Sequence, residues 1–400
     1  MQQFDSIVCI SQTSWKGDFQ KAVVQLMTEL SARHRVLFVD YLYTAKDLLT
    51  GRRDMPVRQI LFGDSLTKID DSLGEDLYVW TPPIVLPINS LATNAHDRAL
   101  HWNINRILPR LKALPKRLNM HRPLVINAFN PVVGLPMLGS LNECATIYYC
   151  FDEITTAGDW MSRHGQRYED AFLQRVDAVV TTSETLRLAK SVLQPHTYCV
   201  KNGVNFDLFN QTRQLAQHTP PEKPIVGYLG CADNRIDIDL MEYCARQLPN
   251  IEFQFIGEVS EPLVTQRLKD FPNVTFIPPR QPADLPPLLA KWSVGIIPFV
   301  CNKHTYTIYP LKINEYLAAG LAVVATPFSL LDDFDHVIDV APTPGQFVDA
   351  LRRAVTDNST ARIKQRVDMA HRNSWTERAR EFEAVIEQVA IGADHISKPF

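Results

Sequence analysis

Lys312 and Glu315 stand three residues apart in the run Tyr309-Pro-Leu-Lys-Ile-Asn-Glu-Tyr-Leu-Ala-Ala-Gly-Leu-Ala-Val-Val-Ala-Thr326. On a helix that spacing puts an ammonium and a carboxylate on one face, and near the helix N-terminus the face lies in a positive field. The lysine then suits a diphosphate and the carboxylate suits the vicinal hydroxyls of a ribose. The same pair in isolation also describes a solvated surface contact contributing about 0.2–0.5 kcal/mol. The neighbouring residues predict the helix itself: Pro310 suits its first turn, Glu315, Tyr316, Leu317, Ala318 and Ala319 continue it, and Gly320 ends it. Leu321 to Ala325 is an apolar, partly β-branched run, short enough for a fully buried parallel strand.

Elements of this kind recur along the chain. Strands are predicted at Ser6 to Ser11, Arg35 to Asp40, Leu77 to Trp80, Pro123 to Ala128, Ala145 to Phe151 and Ala178 to Thr181, with helices between them near Phe19 to Arg33 and Tyr168 to Val176. A second series follows Pro224, at Ile225 to Leu229, Ile251 to Ile256, Val274 to Ile277, Val294 to Ile297 and Leu321 to Ala325. It repeats the alternation without repeating the sequence. Four hundred residues with 46% hydrophobic content exceed what one core normally serves, so two domains are expected. The segment between the series, Gln211 to Pro224, is polar and proline-bearing and reads as a linker.

Charge is nearly balanced, 41 basic against 44 acidic side chains for a formal net of -3, which argues against a nucleic-acid partner. Seven cysteines are scattered without a Cys-x-x-Cys pair, the usage of a reducing compartment. The chain reaches the strand-like Ile7 to Ile10 without the basic flank and long apolar stretch of a signal peptide, and no uncharged apolar run is long enough to cross a bilayer. The expected location is cytoplasmic, with peripheral attachment to the inner face of the membrane as its extension.

The string Pro-x-Lys-x-x-Glu-Tyr-x-Ala-x-Gly followed by a Val-Val strand resembles the donor-site signature of GT-B glycosyltransferases, in particular family 4 and its relatives. Lys201-Asn-Gly-Val-Asn-Phe-Asp-Leu-Phe209 is similar to the Asn-Gly-Val-Asp-x-x-x-Phe segment that joins their two halves, with Asn205 in place of the aspartate. The resemblance runs closest to the teichuronic-acid-type transferases of bacterial envelope polysaccharide synthesis. It implies an α/β fold of two Rossmann-like domains with parallel sheets facing an interdomain cleft. The implied boundaries are an acceptor-side domain over 1–205, a linker over 206–224, a nucleotide-sugar donor domain over 225–374, and a C-terminal helix over 375–400 that crosses back to the first domain.

The resemblance also nominates site residues. Lys312 would hold the diphosphate and Glu315 the ribose. Gly230, after the first strand of the second series, would let backbone amides approach a phosphate, and Arg235 in the same loop stands where related proteins carry a basic residue. This loop lacks the Gly-Arg and Lys-Gly pairs usual in the family. Arg280 follows the strand expected to border the base and otherwise reads as an exposed loop arginine. Tyr306, Thr307 and Tyr309, with His304, form a polar-aromatic loop placed to cover the sugar and phosphates. Family members carry a first glutamate eight positions before the second, and here that place is Thr307, a hydroxyl without charge.

On the acceptor side, Trp15, Gly17 and Asp18 follow the first strand, where similar proteins place a loop near the donor phosphates and acceptor; Asp18 also reads as a helix cap. Asp152 and Glu153 follow the strand ending at Phe151, and either suits a general base. Asp237 and Asp239 sit at a helix start, where carboxylates cap, and no carboxylate pair has a metal-binding context, so no metal or other cofactor is expected. Lys312, Arg235 and helix amides are expected to neutralise the leaving group, with Asp152, Lys312 and Asp18 as the catalytic candidates.

Residues 96–122 hold seven basic side chains, Arg98, Arg106, Arg110, Lys112, Lys116, Arg117 and Arg122, against the single acid Asp97. Leu100, Ile104, Ile107, Leu108, Leu111, Leu114 and Leu118 recur there at helical spacing, and Pro109 and Pro115 are expected to kink or split the helix. The stretch reads either as a domain helix with a basic solvent face or as a docking surface for anionic lipid. Taken together, the expected activity is transfer of a sugar from a nucleotide-diphosphate sugar, a UDP-sugar first, to a hydroxyl of a carbohydrate or lipid-linked acceptor. A sugar epimerase or phosphorylase on the same fold, or a catalytically inactive nucleotide-sugar-binding subunit, are the rival expectations.

Overall fold

The uninterrupted apolar runs form the centres of two sheets. A computed structural model describes residues 4–17, 21–52, 54–62, 65–69, 76–156, 161–215, 222–334, 336–357 and 359–395. The first sheet contains β1 (Ser6–Ser11), β2 (Arg35–Val39), β3 (Leu66–Lys68), β4 (Leu77–Trp80), β5 (Pro123–Ala128), β6 (Ala145–Cys150), β7 (Ala178–Thr181) and β8 (Thr197–Cys199), in the order β3-β4-β2-β1-β5-β6-β7-β8. Every residue of β1, β5 and β6 is buried, as strands covered on both faces must be. Pairing is parallel except at the edge, where β3 runs antiparallel to β4.

The second sheet holds β9 (Ile225–Leu229), β10 (Glu252–Ile256), β11 (Val274–Ile277), β12 (Val294–Ile297), β13 (Ala322–Ala325) and β14 (Asp339–Val340), in the order β11-β10-β9-β12-β13-β14 with parallel pairing throughout. Its core draws on both sheet faces, with Val226, Phe253, Val294, Ile313, Tyr316, Val324 and Phe347 essentially inaccessible. The chain divides into two compact units, residues 1–201 with 378–400 and residues 202–377. Within the second, Val204 and Ser374 form a parallel bridge, with Val204 N donating to Asn373 O at 3.0 Å and Trp375 N to Val204 O at 3.0 Å. Gly203 permits that approach, since a β-carbon there would lie 2.8 Å from Trp375 Cα. The helix Trp375–His395 starts at this bridge, and from Arg378 onward it belongs to the first unit. There Phe382 meets the Tyr149 ring edge-on at 5.5 Å and Glu383 pairs with Arg33 at 2.7 Å and His34 at 2.6 Å.

Two expectations need correction. The segment read as the start of a linker is helical over Phe206–Leu215, with the Asn205 side chain accepting the Leu208 N–H at 3.1 Å and Phe209 in the core of the second unit. Polar composition concealed an amphipathic helix whose buried positions are few. The basic stretch forms one unbroken helix, Thr93–Arg117, despite Pro109 and Pro115. Each proline costs about 3 kcal/mol. Leu100, Ile104, Ile107, Leu111 and Leu114 are all buried along its inner face, and at roughly 1.5–3 kcal/mol apiece their burial outweighs both prolines.

Candidate functional site

In the second sheet the strand order turns around between β9 and β12, and the carboxyl ends of such a pair are where open α/β sheets bind ligands. The loops leaving those two strands are stitched together: Ile236 bridges Phe299, Val300 N donates to Arg235 O at 2.8 Å and Asp237 N to Pro298 O at 2.8 Å. The helix Leu311–Ala318 lies against them. Tyr316, fully buried, locks it in place, its hydroxyl accepting the Leu229 N–H at 2.8 Å. That single bond explains the tyrosine beside the glutamate, because it sets the rotation of the helix and hence where positions 312 and 315 fall.

Lys312 reaches across Gly230. A β-carbon on Gly230 would sit 2.4 Å from Lys312 Cε, and its φ of +126° is in the region that disfavours any side chain. The glycine therefore makes room for the lysine, which its expected role toward a phosphate did not foresee. Lys312 Nζ stands 5.6 Å from the Tyr228 ring centre and 5.9 Å from that of Phe299, and makes no hydrogen bond or ion pair to any described residue. Burial and then the nearby Arg235 guanidinium hold its pKa below the ordinary lysine value, with Glu315, Asp233 and Cys231 opposing. Cation–π contact contributes about 0.5–2 kcal/mol, well short of replacing an anionic partner. Glu315, half-buried on the same helix, likewise has no hydrogen-bond partner among the described residues, and burial pushes its pKa up to about 6 against the pull of Lys312.

Arg235 is already engaged. Its Nε and Nη2 meet the Asp233 carboxylate at 2.8 and 2.6 Å, and its guanidinium lies 5.1 Å over Phe299. Burial works against the charge on both partners, and their mutual hydrogen bonds outweigh it, raising the arginine and lowering the aspartate. Asp233, Tyr228 and Phe299 were not anticipated. The Asp-x-Arg spacing of 233 and 235 across a turn was the available signal for the first; the aromatic walls read only as core.

The other nominated residues divide. Arg280 is exposed and Tyr306 is 46% exposed, while the Thr307 hydroxyl donates to His304 O at 2.8 Å within its own turn. Tyr309, expected to cover a ligand, is instead 7% exposed: its ring packs on Phe334 and its hydroxyl accepts from Asn314 Nδ2 at 3.3 Å, so packing rather than recognition accounts for it. Asp237 caps its helix, accepting the Leu240 N–H at 2.9 Å, and Asp239 pairs with Arg267 at 2.7 Å.

In the first unit Trp15 is half-buried, its N–H donating to Asp40 Oδ1 at 2.7 Å and its ring edge-on to Phe38. Gly17 is exposed, and its loop folds around Lys21, whose Nζ donates to Ser14 O and Lys16 O at 2.6 Å. Asp18 lies outside the described residues. Asp152 Oδ1 accepts the Glu153 N–H at 2.8 Å just beyond β6. Glu153 itself is held by Lys190 at 3.2 Å, and although burial raises its pKa, that lysine and the Thr155 bonds bring it below the usual value.

Residues 224–357 match the family described as Glycosyl transferases group 1. TuaH of Bacillus subtilis (strain 168), a protein assigned to teichuronic acid biosynthesis as a glycosyltransferase, is 27% identical over 213 residues, 48% of this chain and 53% of its own. The chain thus spans about half the length of that curated relative, 53%. Among solved structures, the sucrose-phosphate synthase of Thermosynechococcus elongatus superposes with a TM-score of 0.71 at 18% identity over 97% of this chain and 100% of that one. The α,α-trehalose 6-phosphate synthase of Burkholderia multivorans gives 0.67 at 11% identity over 97% and 100%. Anabaena Alr3699/HepE, solved with UDP and glucose, gives 0.61 at 14% over 96% and 99%. The two parallel-dominated sheets and the solved structures they superpose on give this chain a GT-B fold, and its residues 224–357 are similar to the glycosyl transferases group 1 family.

Proposed function

We propose that the protein is a glycosyltransferase that moves a sugar from a nucleotide-diphosphate sugar, a UDP-sugar first, to a hydroxyl acceptor in polysaccharide or glycolipid synthesis. The observation that carries this is Lys312, a half-buried ammonium with no anionic partner among the described residues, aimed over Gly230 at the carboxyl ends of β9 and β12. In transfer, the acceptor oxygen forms a bond to the anomeric carbon while that carbon's bond to the diphosphate oxygen breaks. The nucleoside diphosphate leaves with the bonding pair, and the acceptor hydroxyl loses its proton. Lys312 is placed to neutralise the leaving diphosphate, assisted by Arg235 and the N-terminal amides of the Leu311–Ala318 helix, and Glu315 to accept hydroxyls of the ribose. Asp152 is the candidate to take the proton. The choice of UDP draws on HepE, whose structures contain UDP with glucose and UDP-glucose.

A thermal-shift panel of nucleotide sugars followed by product detection tests the reading. UDP-sugars are expected to raise the Tm and an acceptor-linked product to form with EDTA present. No shift with any nucleotide sugar, or full transfer by a Lys312→Ala variant, would overturn it. The Thr307 hydroxyl, spent on His304 O where related proteins carry a carboxylate, favours a second reading: a subunit that binds nucleotide sugar without turnover. Tight nucleotide binding with no product from any acceptor would select it.

We infer in addition that the protein docks on anionic membrane. The solvent side of the Thr93–Arg117 helix presents Arg98, Arg106, Arg110, Lys112 and Lys116, while Asp97 is drawn onto Arg167 at 3.0 Å and Tyr168 at 2.8 Å. Trp102 is 47% exposed on the same side. No helix among the described residues is long and apolar enough to cross a membrane. Flotation with anionic vesicles at low salt should carry the protein upward, and its absence from the floating fraction would rule docking out.

A further inference from the structure

The strands of the second sheet carry the Lys312 site at their carboxyl ends and a cavity at their opposite ends. The cavity, of about 240 Å³, opens at the amino ends of β13 and β14. Its apolar wall is Ala322 and Val323, which begin β13, with Val337 and Ile338, which lead into β14. Asp339, Asp357, Arg362 and Arg366 supply its charged groups. All of these residues belong to the second unit, and the cavity shares no lining residue with the site around Lys312.

Arg362 and Arg366 lie four residues apart on the helix Thr360–Arg372, so they share a face on which like charges repel. They also share one carboxylate: Asp357 Oδ2 is 2.9 Å from Arg366 Nη2 and 3.4 Å from Arg362 Nε. Arg366 donates further to Asp357 O at 3.1 Å and Gly320 O at 3.4 Å. Arg362 Nη1 donates to His336 O at 2.9 Å, a carbonyl presented from a φ of +74° that few side chains adopt. The half-exposed Arg362 guanidinium is thus fixed in place, and its Nη2 has no acceptor among the described residues. Arg366 behind it is 3% exposed. Burial holds the Arg366 pKa below the ordinary value against the pull of Asp357, with Arg362 adding to the fall and Asp339 opposing it. Arg235 in the same unit, which has an aspartate to itself, shifts the other way. The cavity's second carboxylate, Asp339, approaches Arg353 no closer than 3.6 Å through Oδ1, and its Oδ2 has no partner among the described residues.

We propose that this cavity binds a small phosphomonoester with a hydroxylated body, its phosphate on Arg362 in front of the buried Arg366 charge and its hydroxyls on Asp339. The phosphate brings the anion that two arginines on one carboxylate lack, and it accepts a charge-assisted bond from Arg362 Nη2. Asp339 is acceptor-only, which suits hydroxyl donors, and the carbon skeleton lies against Val337 and Ile338. A water needs about 10–15 Å³ of such volume, so the space takes on the order of 16–24 heavy atoms. That is the size of a sugar phosphate, larger than bare phosphate and far smaller than a polymer.

Isothermal titration of the full chain with glucose 6-phosphate and with glycerol 3-phosphate tests this, with glucose and inorganic phosphate as controls. At least one phosphomonoester is expected to bind about tenfold or more tighter than either control. Arg362→Gln, at an exposed position, should weaken that binding about tenfold without lowering the Tm, and Asp339→Asn should weaken it a few-fold. Lys312→Ala, at the other end of the strands, should bind the same phosphomonoester as the wild type does. Four results overturn the proposal: no binding of either phosphomonoester, binding no tighter than that of inorganic phosphate, wild-type binding by Arg362→Gln, or loss of binding in Lys312→Ala. The last would place the phosphate at the Lys312 site instead, and it would leave the reading of that site standing.

Discussion

Two lysines, one in each unit, face burial with opposite results. Lys190, 6% exposed, is met by Glu169 at 2.8 Å and Glu153 at 3.2 Å, while Glu169 also accepts the Tyr148 hydroxyl at 2.8 Å. Burial disfavours its ammonium, but Cys150, Glu169 and Glu153 outweigh that and raise its pKa above the ordinary value. Lys312 has aromatic rings below it, an arginine beside it and no anion within hydrogen-bonding reach among the described residues, and its pKa moves the other way. A buried charge surrounded by matched partners belongs to the fold. One left unmatched at a strand-end loop is held ready for a ligand that brings the missing charge.

The contrast breaks most visibly at Lys190. Replacing it by methionine leaves Glu169 buried without its cation, and chemical denaturation should show a loss of about 3–5 kcal/mol, largely recovered when Glu169→Leu is added. A loss under about 1 kcal/mol would mean the pair is not structural. At Lys312 the expectation inverts: alanine should leave stability within about 0.5 kcal/mol and lower kcat/KM tenfold or more, since a charged hydrogen bond to phosphate contributes about 1.5–3 kcal/mol. Unchanged kcat/KM would remove the lysine from the mechanism.

Glu315 sharpens the comparison through pH. Its folded pKa, about 6, lies above the 4.5 of a free glutamate, so the folded state prefers the proton. The preference acts in full below about pH 4.5 and is lost as pH rises through 6. The stability of Glu315→Gln relative to wild type should therefore improve by roughly 1–2 kcal/mol between acid and neutral pH, read from denaturation midpoints. Nucleotide affinity should run oppositely, falling as pH drops below about 6 because the neutral acid loses charge-assisted bonds to ribose hydroxyls; a flat titration would exclude that role. The smallest effect is expected at Asp233→Asn. Freed from its carboxylate, Arg235 becomes a second unmatched cation, and calorimetry should find nucleotide binding a few-fold tighter at a stability loss of about 1 kcal/mol.

Most of the central strands were legible because burial on both faces writes itself as a continuous apolar run; β1, β4, β5, β7, β9 and β12 have the bounds their sequences predict, as does the edge strand β11 with its apolar, β-branched Val274-Thr275-Phe276-Ile277. The edge strands β3, β8 and β14 were missed. They are two or three residues long and carry few buried side chains, so no periodicity marks them. The Phe206–Leu215 helix was obscured by polar residues on its solvent side, and the intact Thr93–Arg117 helix by two prolines whose cost is met through packing the sequence does not display.

At the site, the Lys312–Glu315 spacing, the helix that carries them and its glycine stop follow from local stereochemistry, which depends only on residues adjacent in the chain. The sequence by itself therefore determined two alternating α/β series and one pair of groups on a common helix face. Only the tertiary structure decided that Gly230 clears a path for Lys312 and that Tyr309 belongs to the core. Each of those outcomes turns on which distant groups come within about 3–4 Å and how much water they exclude, and such distances are set by packing between elements rather than along the chain.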